Sequence, residues 1–184
     1  MAESPNGDRR RVGDMPEKKR YTNRNFTKRV DHEAGHASRK PQREPSVCSD
    51  CGAIYRRGRW TFDRSVLGDD PFCRVVPAET VCPACVQIKS GEPAGFVFLD
   101  GAFVGEHREE ILNLIRNEGK RAMDDNPLAR IIDWTERRHV LTVTTTTERL
   151  AEQLGHSLKR AFDGDVRYDF SHENKLARVY WHRD

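Results

Sequence analysis

The chain has 184 residues, with 32 Lys and Arg against 29 Asp and Glu, a formal charge of +3 and a mean hydropathy of −0.82. That length suits one domain or two small ones. The polarity excludes a helical membrane protein, because no run approaches the roughly 18–20 apolar residues that a span needs. The first thirty residues carry charge throughout and hold no apolar h-region, so no secretory leader is expected. A reducing, cytoplasmic setting then frames the five cysteines.

The charge is unevenly placed. Residues 1–45 hold twelve basic side chains against seven acids, a local +5, while the remaining 139 residues hold 20 against 22, a local −2. Only nine of the first 45 residues are apolar. Too little apolar surface is available there to offset the ordering cost of about 1–2 kcal/mol per residue. A disordered basic tail over 1–45 is therefore expected, and Arg9, Arg10, Arg11, Lys18, Lys19, Arg20, Arg24, Lys28 and Arg29 are its candidate phosphate contacts. Within it, His32-Glu33-Ala34-Gly35-His36 fits the H-E-x-x-H zinc-protease pattern. That chemistry needs a packed helix. Here no apolar stripe flanks the motif, Gly35 interrupts it and no third ligand follows, so it reads as a polar stretch of the tail.

Next come Cys48-Ser-Asp-Cys51-Gly52 and, thirty residues on, Cys82-Pro-Ala-Cys85. A C-x-x-C turn aims two thiolates at one ion, and two such knuckles complete a tetrahedral four-sulfur site that suits one structural Zn²⁺. The expected ligands are Cys48, Cys51, Cys82 and Cys85. Cys73 reads as a packed free thiol, the alternative being that it takes one ligand position. A zinc ribbon over 46–104 follows. Between the knuckles, Ile54-Tyr-Arg-Arg-Gly-Arg-Trp-Thr-Phe62 predicts a hairpin, with Trp60 in the core and Arg56, Arg57 and Arg59 free to meet nucleic acid.

Residues 93–101 read as a short apolar segment closed by a turn. From there a 105–184 domain is predicted in the order αββαββ. The first helix covers 107–122, with Glu109 and Glu110 in its first turn and Lys120 and Arg121 in its last. Strands follow over 128–134 and 139–145, joined by a turn at 135–138. A second helix opens on the capping box Thr145-Thr-Thr-Glu148 and carries Leu150, Leu154 and Leu158. Two last strands span 166–170 and 175–183. The fold class is α+β, with a four-stranded, mainly antiparallel sheet and both helices on one face. The other face then carries Arg167, Arg178, Tyr180, His182 and threonines, either as an RNA-binding surface or as a solvated one.

The Cys48–Cys51 knuckle with Gly58-Arg-Trp60, the Val81-Cys-Pro-Ala-Cys85 run, Pro93-Ala-Gly95, Thr144-Thr-Thr-Thr-Glu-Arg-Leu-Ala151 and Ala177-Arg-Val-Tyr-Trp181 resemble a bacterial family of small zinc-ribbon proteins. The resemblance covers roughly residues 41–184. More distantly, that family is similar to the N-terminal region of the archaeal and eukaryotic export adaptor of the large ribosomal subunit, to which Asp133-Trp-Thr-Glu136 adds a match. The resemblance implies zinc binding and contact with ribosomal RNA or the ribosome. The chain has one four-cysteine site where the adaptor has more cysteine pairs, so export does not carry over. No phosphate loop, dinucleotide glycine pattern, nucleophile elbow or carboxylate pair stands out, so no catalytic residues are expected. A membrane and a small-molecule substrate are likewise not expected as partners. The reading is an RNA-binding protein that modulates translation, ribosome storage or subunit assembly. The alternative is a protein-interaction adaptor without RNA contact.

Overall fold

A computed structural model describes residues 43–68, 76–171 and 176–184. The basic positions from Arg9 to Arg29, the His32–His36 motif and Cys73 lie outside these residues. The described residues fall within one compact unit, 34–184, and form two sheets.

The smaller sheet is built from three-residue strands: β1 (Ser46–Cys48), β2 (Ile54–Arg56), β3 (Arg59–Thr61) and β4 (Ala78–Thr80), in the order β3-β2-β1-β4. β2 and β3 form the expected hairpin, with Tyr55 opposite Trp60 and their rings 5.3 Å apart. Its two-residue turn holds Arg57 and Gly58 at φ of 54° and 74°, the primed geometry whose twist matches paired strands. The Glu44 carboxylate accepts from both turn amides, at 2.7 and 3.0 Å. After β4, which runs parallel to β1, helix α1 (Pro83–Ser90) begins on the second cysteine pair.

The larger sheet has five strands, not the four expected. The added strand is β5 (Gly95–Asp100), which the sequence marks as a short apolar segment closed by a turn and includes in the 46–104 region. After it come α2 (Ala102–Glu106), α3 (Arg108–Asp125), β6 (Ile131–Arg137), β7 (Val140–Thr145), α4 (Glu148–Phe162), β8 (Asp165–Ser171) and β9 (Leu176–His182). The order is β6-β7-β5-β9-β8, with β5 in the centre, parallel to β9 and antiparallel to β7. Without β5, β7 and β9 would each expose a row of backbone donors and acceptors to the apolar core, at a high cost in unmade hydrogen bonds. Its Val97 and Leu99 are fully buried, which explains the apolar character of the segment.

Three local expectations also shift. The β6–β7 turn is Arg138-His139, both at positive φ, and β6 continues through Thr135 to Arg137. Thr147, rather than Thr145, caps α4: its hydroxyl accepts from the Leu150 amide at 3.3 Å. Thr145 is buried in the ladder between Gly95 and Ile131 and cannot turn away from it. Helix α3 runs to Asp125 before Asn126-Pro127 ends it, so Lys120 and Arg121 fall short of its last turn.

One core forms between the sheet and the two long helices. Ile111 and Ile115 of α3, with Leu150, Leu154 and Leu158 of α4, meet Val97, Leu99, Val143, Val179 and Trp181 of the strands. The i, i+4 spacing on α4 and the alternation along the strands place these side chains together. Trp181 is 1% exposed, and its indole N–H donates to the Asp163 carbonyl at 2.8 Å. Among the described residues, no helix is long and apolar enough to cross a membrane.

Candidate metal centre

The four cysteines expected as ligands converge. Cys48 ends β1, and the chain reverses at once: the Gly52 amide donates to the Cys48 carbonyl at 2.9 Å, and Cys48 donates back to Ala53 at 2.8 Å. Gly52 takes φ of 74°, which a side chain there would resist. The tight turn brings Cys51 back beside Cys48. The second pair is held differently. Cys82 is the N-cap of α1 with Pro83 in the first turn, so Cys85 lies one helical turn on, and the second half of the site is a helix N-terminus, not a second strand knuckle. Proline's fixed φ suits that first turn, and the positive end of the helix dipole favours thiolate there.

All four Sγ atoms lie within 4.8 Å of one another. Cys48 and Cys85 are 3.8 Å apart, and Cys51 and Cys82 are 3.7 Å apart. Sulfurs placed tetrahedrally about one ion at ~2.3 Å have edges of ~3.8 Å. The separations therefore match a four-sulfur metal site and are far beyond the ~2.05 Å of a disulfide. Cys48, Cys82 and Cys85 are buried and Cys51 is half-buried. An ion held by all four has no vacant position for water or substrate, which is the pattern of a structural site.

The electrostatics of the four sulfurs is uneven. Burial pushes the Cys82 thiol up, and it holds Cys85 at about 11. At Cys48 burial acts in the same direction, but the backbone amides of Cys82, Cys51 and Asp50 outweigh it and bring the thiol down to about 7. One of those bonds is explicit, from the Cys82 amide to Cys48 Sγ at 3.2 Å. A divalent ion would displace the protons that burial keeps on the Cys82 and Cys85 thiols and neutralise the thiolates formed.

Sequence reasoning missed Arg130, which lies just before β6. Its Nη1 donates to Cys85 Sγ at 3.5 Å and its Nε donates to the Pro127 carbonyl at 2.8 Å. Nη2 is buried with no hydrogen-bond partner among the described residues. Burial works against the charge on Arg130, yet the neighbouring Cys51, Cys85 and Cys82 sulfurs outweigh it and raise the pKa. Four thiolates around a divalent ion carry a net −2, and this guanidinium supplies a compensating charge. Its backbone is tied to the larger sheet, where the Arg130 amide donates to Thr146 Oγ1 at 2.8 Å, and the neighbouring Leu128 packs on the cysteine cluster. Lys89, paired with Asp50 at 2.8 Å, adds a second cation beside the site. No motif marks Arg130, because its role arises from contacts across 45 residues of chain.

The predicted nucleic-acid residues fall into separate groups. Arg57 and Arg59 are exposed on the hairpin. Arg56 is half-buried and donates to the Val66 carbonyl, which makes it a tether for the next loop. Trp60 packs on the cysteine cluster, as expected. Arg167 and Tyr180 meet on the larger sheet, with the guanidinium 4.5 Å from the ring centroid, and Arg178 lies opposite Asp169 in the same ladder. In comparison with known proteins, the chain has no significant match to any family model, curated protein or solved structure.

Proposed function

We propose that this is a zinc-binding, RNA-binding protein that associates with the ribosome and modulates translation, ribosome storage or subunit assembly. Zinc is the metal of this reading because soft thiolates in a tetrahedron suit it best. The observation that carries the RNA reading is the exposed pair Arg57 and Arg59, held on a short hairpin whose Trp60 packs on the cysteine cluster. Exposed guanidinium groups are suited to phosphate, and the +5 of residues 1–45 adds reach along the same backbone. The ribosomal direction rests on the resemblance to the export adaptor.

The expected outcome is co-sedimentation with ribosomes at low salt and release at high salt, because binding that neutralises several phosphates weakens steeply with ionic strength. Deleting residues 1–42 weakens it further. A chain that sediments free of ribosomes at low salt overturns the proposal. One observation favours the adaptor reading: Phe62, Val86 and Ile88, at 36%, 51% and 37% exposure, leave apolar surface on the smaller module. Salt-insensitive capture of a single protein partner would select that reading instead.

A further inference from the structure

The larger sheet has a face that the helices do not cover, and planar groups run across it. On β5, Phe96 and Phe98 alternate with buried Gly95, Val97 and Leu99, so both phenyl rings project away from the helices. Their rings are parallel within 3° at 5.9 Å. Phe98 lies opposite Tyr180 of β9, with the rings 5.0 Å apart and 16° from parallel. Tyr180 in turn lies opposite Arg167 of β8, whose guanidinium sits over the ring. On the other side, Phe98 faces Thr142 of β7, and Thr142 faces Thr135 of β6.

The register therefore sets one row of five side chains across all five strands: Thr135, Thr142, Phe98, Tyr180 and Arg167. It contains no carboxylate, and its single charge is positive. The carboxylates lie in the two flanking rows: Asp133 and Asp169 stand in the row of Thr144, Phe96 and Arg178, and Asp100 and Asp165 stand on either side of His182 in the other. Aromatic faces, hydroxyls and an isolated guanidinium together match the chemistry of a nucleotide, which offers a π face, polar edges and a phosphate. An apolar protein surface would leave the guanidinium and the threonine hydroxyls without partners.

We propose that this face binds single-stranded RNA, with about two or three unpaired bases stacking along Phe96, Phe98, Tyr180 and Arg167 while the threonine hydroxyls meet base edges or the ribose 2′-hydroxyl. This rests on the RNA-binding reading and specifies the class of RNA. A duplex keeps its base faces stacked internally and cannot present them to these rings. Because Asp169 offsets Arg178, the face draws phosphate weakly. Stacking supplies its affinity, and the basic N-terminal residues supply most of the salt dependence.

The test uses the full chain, metal-loaded, with labelled oligouridine and an RNA hairpin duplex as separate probes in fluorescence anisotropy. Wild type binds oligouridine more tightly than duplex. The double variant Phe98→Leu/Tyr180→Leu keeps apolar side chains and removes two stacking surfaces. It loses at least about five-fold in oligouridine affinity, with duplex affinity and the slope against log salt unchanged. Circular dichroism checks its fold. Ultraviolet cross-linking of wild type to oligouridine gives a measurement independent of any variant, with adducts expected at Phe96, Phe98 or Tyr180. A folded double variant that binds oligouridine like wild type, or adducts confined to the hairpin and N-terminal residues, overturns the platform and leaves the RNA reading standing. Failure of wild type to bind either probe overturns both.

Discussion

Removing the metal should unfold the smaller module and leave the larger one standing. The small sheet's cluster buries Cys48, Ala53, Cys82, Ala84 and Cys85, none of them large, and among the described residues Ile54 is the one big aliphatic side chain fully buried in that sheet. Burial of Ile54 contributes about 2–3 kcal/mol, whereas a structural ion on thiolates contributes about 10–16 kcal/mol at neutral pH. The larger module already encloses Leu99, Ile111, Ile115, Leu150, Leu154, Leu158 and Trp181, and its core needs no metal. Hydrogen exchange with and without a chelator measures the difference amide by amide. The Cys48 and Gly52 amides, paired at 2.8 and 2.9 Å, should lose protection, as should the Cys82 amide on Cys48 Sγ, while β5 and β9 amides keep theirs. Cys85→Ser should reproduce the pattern, and mass spectrometry of the native chain should find one ion per chain. Burial holds the Cys82 and Cys85 thiols up, so binding must displace their protons, and affinity should fall as pH falls. A metal-free chain whose Cys48 and Gly52 amides remain protected would refute this reasoning.

Three further outcomes are expected. Arg130→Gln removes the donor to Cys85 Sγ and a compensating charge, and should lower metal affinity about ten- to hundred-fold in competition with a chromogenic chelator; unchanged affinity would count against it. Gly101 sits at φ of 109° with Arg183 so close that an added Cβ would lie 2.0 Å from its carbonyl oxygen. Gly101→Ala should therefore cost about 3 kcal/mol or more in urea unfolding, and a cost below ~1 kcal/mol would show that the β5–β9 end relaxes freely. Burial, helped by the Glu152 charge, pushes Tyr168 up to about 12, so the folded state favours the neutral phenol. That contribution is present below the ordinary value near 10 and is lost as pH rises through about 12. Tyr168→Phe should abolish this alkaline component of the stability curve, and an identical curve for both proteins would refute the assignment.

Much of the fold was legible locally. The C-x-x-C pairs named all four sulfurs of the site, because a two-residue spacer constrains thiols wherever the pair lies. Leu150, Leu154 and Leu158 marked the buried stripe of α4, and Val179 and Trp181 marked the core side of β9. The Thr145 cap failed because a capping pattern carries no knowledge of a ladder: four threonines in a row offer several registers, and pairing with Gly95 and Ile131 selected one. Phe96 and Phe98 alternate visibly with Val97 and Leu99, yet nothing within residues 93–101 encodes which strands flank β5, so their place beside Tyr180 is out of reach of the sequence.

What the sequence determined by itself was each element's periodicity, the ligand set and the uneven charge: +5 over 1–45 and −2 beyond. Those properties depend on neighbours within a few residues. Tertiary structure alone decided that β5 lies between β7 and β9, that the second cysteine pair opens a helix, that Arg130 reaches Cys85, and that Phe98, Tyr180 and Arg167 share a row. Each of these joins segments far apart in the chain. Strand order is set by which pairing closes the backbone hydrogen bonds over a single core, and no local pattern encodes that choice.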